Sequence, residues 1–108
     1  MSVTIDWISV AAVNEIAPGD RLVVEIGRDW VVIFNVEGQF YALEDRCSHE
    51  DVPLSEGALN GCEIECHKHG ATFDIITGQH LTPPAVSPVK TFPVRVEGDL
   101  VQIGKVKR

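Results

Sequence analysis

Cys47-Ser48-His49 and Cys66-His67-Lys68-His69 each offer one sulfur and one imidazole, and sixteen residues separate them. A chain that brings four such donors to one point must fold so that two loops face each other. That requirement constrains the fold more than any local propensity. A Cys₂His₂ set can hold tetrahedral zinc, but the usual finger has two Cys in one cluster and two His in the other. Here each cluster brings one of each, as two loops do when they grip one object from opposite sides. The donor types alone leave zinc open.

Around these clusters the apolar pattern is that of strands. Arg21-Leu22-Val23-Val24-Glu25-Ile26 and Trp30-Val31-Val32-Ile33-Phe34-Asn35-Val36 are rich in β-branched and aromatic residues, with Gly27-Arg28-Asp29 as the turn between them. Glu37-Gly38 then separates Val36 from Gln39-Phe40-Tyr41-Ala42-Leu43, a hairpin signal. Glu97-Gly98-Asp99 makes a similar turn between Thr91–Val96 and Leu100–Ile103. Val13 to Asp20 reads as a short helical turn and loop, ended by Pro18-Gly19. No segment carries a long helical period, so the pattern predicts an all-β fold, a small antiparallel sandwich or barrel. From about residue 45 to 88 the strand signals shorten and both donor clusters fall at turns, with Thr77-Gly78 as a further hairpin. This stretch reads as a small ligand-binding subdomain inserted in a larger β domain, the whole of 1–108 forming a single domain.

Composition narrows the function classes. No apolar run approaches the ~20 residues of a membrane span, and the N-terminus lacks the basic start and apolar stretch of a signal peptide. The expected location is the cytoplasm, with no membrane partner. A net charge of −7 argues against nucleic acid and suits a basic protein partner. Glu44, Asp45, Glu50, Asp51, Glu56, Glu63 and Glu65 surround the donor clusters, against Arg46 and Lys68. Such an acidic face would steer an encounter and make its rate salt-dependent. Lys105, Lys107 and Arg108 read as a frayed basic tail. Three cysteines make no complete disulfide framework, and metal binding is the better default. Cys62 is left over, and alternation puts it on the same side of a strand as Ile64 and Cys66, buried or half-buried. His67 and His80 read as surface side chains, and Asp20, Trp7 and Trp30 as turn and core residues.

The pattern Cys-x-His, sixteen residues, Cys-x-x-His-Gly resembles that of the Rieske proteins. Over almost its whole length the chain resembles the small Rieske-type ferredoxins that feed electrons to oxygenases. The resemblance implies a Rieske-type fold and one [2Fe–2S] cluster per chain. It implies that Cys47 and Cys66 hold the inner iron and His49 and His69 the outer one, the imidazoles reaching towards solvent. Their outward ring N–H groups could release protons on oxidation. It also implies that Thr82-Pro83-Pro84-Ala85 closes over the cluster as a third wall, where the prolines supply no backbone donor. Gly70 is expected to permit a turn that a Cβ would block.

This sequence departs from the high-potential members. Those carry a further cysteine beside each ligand cluster, bridged to pin the loops, where this chain has Val52 and Lys68. They also place a Ser and a Tyr after the second His, as donors that raise the potential. Here those positions are Ala71 and Phe73. Without those donors the expected potential lies at the low end of the Rieske range, about −150 mV. The implied role is a soluble, monomeric one-electron carrier between a flavin-dependent reductase and a terminal, aromatic-ring-hydroxylating oxygenase. The chain leaves no room for a catalytic 2-His-1-carboxylate iron domain, so it is expected not to be an enzyme. Two alternatives are the small Rieske-like subunit of a nitrite reductase and a zinc-stabilised interaction module without a redox role.

Overall fold

A computed structural model describes residues 4–47, 52–67, 70–82 and 87–107. Among the described residues there are ten strands. They are β1 (Thr4–Ala12), β2 (Arg21–Ile26), β3 (Asp29–Val36), β4 (Gln39–Glu44), β5 (Ala58–Asn60), β6 (Glu63–Glu65), β7 (Thr72–Asp74), β8 (Thr91–Phe92), β9 (Val94–Glu97) and β10 (Leu100–Lys107). Two single turns of 3₁₀-helix, Val13–Glu15 and Leu54–Glu56, complete the regular structure. All the strand pairings are antiparallel, in the sheet orders β1-β10-β9, β2-β3-β4-β8 and β5-β6-β7. The all-β expectation holds, as do the hairpin turns at Gly27-Arg28, Glu37-Gly38 and Gly98-Asp99. Among the described residues no helix is long and apolar enough to cross a membrane.

The three sheets form three layers, with β3 in the middle one. Successive side chains of a strand point to opposite faces, and β3 is apolar on both. Val32 and Phe34, with Leu43 of β4, join Leu54, Ile64, Phe73 and Ile75 in one buried cluster towards the small sheet. Val31 and Ile33, with Ala42, join Ile26, Val101 and Ile103 in a second cluster towards β10. Asn35 is the buried polar residue of β3, 4% exposed. Its Nδ2 donates to the Ile16 carbonyl at 2.7 Å and its Oδ1 accepts from Gly38 N–H at 2.8 Å. It therefore ties the loop before β2 and the β3–β4 turn to one side chain.

Two sequence expectations are corrected. The basic C-terminus is not a frayed tail, because β10 runs to Lys107 in register with β1, pairing Lys105 with Asp6 and Lys107 with Thr4. The alternating pattern of β1 gives the end of the chain a full-length pairing partner, and Lys105 Nζ lies 3.9 Å from Asp29 Oδ2. Arg108 lies outside the described residues. Trp30 is no core residue but 56% exposed. It pairs with Glu25 near the end of the β2–β3 hairpin, and neither buried cluster extends to it.

Candidate metal centre

Cys47 and Cys66 are both about 1% exposed and belong to the same buried cluster, with Leu54, Ile64, Ala71 and Phe73. They reach it from different elements. Cys47 follows β4, and Cys66 follows β6. Each opens a loop closed in the same way. The Cys47 N–H donates to the Val52 carbonyl at 2.9 Å, and the Cys66 N–H donates to the Ala71 carbonyl at 2.7 Å. Four residues lie between donor and acceptor in both loops, so two equivalent turns present their first sulfur to one apolar interior. None of the three cysteines is in a disulfide. His49 and His69 lie outside the described residues, as do Ser48, Glu50, Asp51, Lys68 and the Pro83-Pro84-Ala85 stretch.

Gly70 takes φ +74, and its N–H donates to the Cys66 carbonyl at 3.2 Å. Among the described residues, a Cβ there would meet only Glu65 Oε2, at 3.9 Å. The left-handed backbone is what calls for glycine at this turn. Ala71 and Phe73 are wholly buried and carry no hydroxyl. Val52 packs half-buried against the cluster. Cys62 does the same, on the same side as Ile64 and Cys66, although it sits in the turn before β6 and not in the strand itself. His67 is exposed and its Nε2 lies 3.8 Å from Glu56 Oε1. His80 is half-buried at an isolated bridge to Phe73, with its Nδ1 3.3 Å from Gln79 Nε2.

The bracing of the first loop was not legible in the sequence. Asp45, counted there only as surface charge, accepts from Ser55 twice: N–H to Oδ1 at 2.7 Å and Oγ–H to Oδ2 at 2.8 Å. Arg21 of β2 donates through Nη1 to the carbonyls of Ser55 at 3.0 Å and Gly57 at 2.7 Å. These partners lie 34 and 36 residues away along the chain, a separation at which no local motif gives a signal.

Two buried thiols in one apolar cluster, each at the head of a closed turn, fit the cysteine half of a mixed Cys/His iron–sulfur ligand set. Apolar surroundings suit such a centre, because they exclude water from the sulfurs.

Comparison with known proteins agrees. Residues 6–93 match the family described as the Rieske [2Fe-2S] domain. The chain is 40% identical over 97 residues to the ferredoxin component of the naphthalene 1,2-dioxygenase system of Pseudomonas aeruginosa, covering 90% of this chain and 93% of that one. It is 42% identical over 88 residues to the biphenyl dioxygenase ferredoxin subunit of Pseudomonas sp. strain KKS102, covering 81% of each. Among solved structures, it is similar to a chain in the complex of reduced oxygenase and oxidized ferredoxin of carbazole 1,9a-dioxygenase. That match has a TM-score of 0.85 at 37% identity and covers 90% of this chain and 91% of the other.

Proposed function

Since the chain belongs to the Rieske [2Fe–2S] family, we propose that it is the ferredoxin of an aromatic-ring dioxygenase system, carrying single electrons to the terminal oxygenase. The observation that carries this reading is the burial of Cys47 and Cys66 in one core, in a chain covered almost end to end by ferredoxin components of such systems. A [2Fe–2S] cluster bound there supplies the one-electron chemistry. Cys47, Cys66, His49 and His69 are the ligands we assign to it. The support for the histidines is their place in the Cys-x-His and Cys-x-x-His-Gly pattern.

The chain's own residues then have separable tasks. The two closed turns hold the sulfurs away from water. Leu54, Ile64 and Phe73 wall the interior. Residues 45–88 act as the cluster-binding unit, and the acidic side chains around it steer a basic docking face. The solved complex of a related ferredoxin with its oxygenase supports the acceptor. A flavin-dependent reductase is the donor that fits the same kind of system. Cytoplasmic location and a monomeric state complete the proposal. The relatives are named as ferredoxin components or subunits of dioxygenase systems, and this chain is read as a carrier rather than the catalyst.

The test is EPR of the dithionite-reduced protein at low temperature. The expected signal has an average g below that of all-cysteine [2Fe–2S] clusters. His49→Ala and His69→Ala should abolish it, while His67→Ala and Cys62→Ser should keep it. If Cys62→Ser lost the cluster and Cys47→Ser retained it, the ligand assignment would be wrong.

A further inference from the structure

We propose that Arg21, Asp45 and Ser55 form a noncovalent staple that holds the two cysteine loops in register, with Arg21 as its central positioning residue. The proposal rests on the Rieske reading above for what the loops carry, and on the bonding pattern for how they are held.

The first loop leaves the four-stranded sheet at Asp45 and returns at the turn Leu54–Glu56. Asp45 and Ser55 close its neck with two hydrogen bonds to one carboxylate, a charge-assisted pair at 2.7 and 2.8 Å. Asp45 is itself anchored, since its N–H donates to the Trp30 carbonyl at 2.8 Å. On the far side of the neck Arg21 grips the Ser55 and Gly57 carbonyls, with its guanidinium 5.3 Å from the Phe34 ring centroid. Gly57 in turn lies directly on β6. A Cβ at this position would stand 1.8 Å from the carbonyl oxygen of Glu65, the residue before Cys66.

A continuous mechanical path therefore runs from Cys47 through Asp45, Ser55 and Gly57 to Glu65 and Cys66. Its links are hydrogen bonds and one backbone-on-backbone contact. Val52 occupies one position where high-potential relatives are expected to carry a bridging cysteine, so no such bridge constrains this loop from that position. Arginine suits the task because both bonds leave one guanidinium nitrogen, Nη1, whose two N–H groups are held in the plane of a rigid, delocalised group. Lysine keeps the charge but replaces the planar, fixed pair of N–H groups with a freely rotating ammonium. That difference separates positioning from electrostatics.

The experiment compares holo wild type with Arg21→Met, Arg21→Lys and Ser55→Ala. Hydrogen exchange is read over the two loops, alongside cluster release to an iron chelator and the reduced EPR spectrum. In Arg21→Met the amides of Cys47 and Cys66 should exchange faster together. Cluster release should rise by about tenfold or more, the factor expected for losing hydrogen bonds to a charged group, with altered g values. Arg21→Lys should share these changes in weaker form, and Ser55→Ala should speed release by a smaller factor without unfolding the chain. Faster exchange confined to the first loop would overturn the staple, as would release rates and g values in all three variants equal to wild type. If the Arg21 variants do not fold, Ser55→Ala decides by the same criteria. A wild-type protein without the mixed-ligand signal would overturn the Rieske reading itself. A wild-type signal with unchanged variants overturns only the staple.

Discussion

Gly57→Ala isolates a steric effect that the rest of the molecule cannot absorb by rotating a side chain. Gly57 has φ −84 and ψ 173, ordinary extended backbone, so alanine meets no conformational objection there. In a site with room, Gly→Ala at a compatible φ stabilises by about 0.4–1 kcal/mol through the unfolded chain. Here the new Cβ would lie 1.8 Å from the Glu65 carbonyl oxygen, 2.9 Å from its carbon and 3.2 Å from the Leu54 carbonyl oxygen. Real contacts of this kind stay above 3.0 Å, so β6 must retreat by more than an ångström. That strand has 3 residues, hydrogen-bonded to β5 on one side and β7 on the other, with Ile64 wholly buried between them. Overpacking costs about 1–3 kcal/mol and occasionally more, and a clash of backbone on backbone belongs at the upper end. The net expectation is a loss of about 2 kcal/mol or more, a fall in Tm of roughly 10 °C for a chain of this size. Urea unfolding followed by circular dichroism, on wild type and variant prepared in parallel, measures it. A variant whose midpoint equals or exceeds that of wild type would refute the argument, because only the entropic gain would then be at work.

Two further outcomes follow from buried residues. Asn35→Leu leaves the Ile16 carbonyl and the Gly38 N–H without their side-chain partner; at about 1–3 kcal/mol for each orphaned group, urea titration should find a loss of about 2–6 kcal/mol, and a loss under 0.5 kcal/mol would contradict it. The wild-type midpoint is expected near the low end of the Rieske range, about −150 mV, since Ala71 and Phe73 offer no hydroxyl. Ala71→Ser and Phe73→Tyr should each raise it by about 40 mV per kcal/mol of preferential bonding to the reduced form. A strongly positive wild-type midpoint, or a fall in both variants, would refute this.

The fold was legible wherever its determinants are local. Strands β2, β3 and β4 announce themselves through β-branched runs, and their turns through glycine. The pairing of β1 with β10 was not legible, because it joins the two ends of the chain, and basic residues at a terminus look like solvated tail until a partner strand is known. Trp30 failed for a related reason. Its composition says core, but its exposure depends on where the other two layers stop. At the candidate site, the spacing of the cysteines stands out in the sequence, whereas the hydrogen bonds of Arg21 do not. Its partners are backbone carbonyls, and a carbonyl is present at every position of every sequence.

The doubly buried strand has a consequence for anyone who would take the molecule apart. Val31 and Ile33 complete the interior on one side, and Val32 and Phe34 complete it on the other, so neither half keeps its own wall once the two are separated. The small sheet cannot be excised as a transplantable electron-carrying peptide, and the outer sheet cannot be trimmed away as packaging. A split-protein or permuted design has to cut between strands and leave β3 whole, with both of its neighbours in the same fragment.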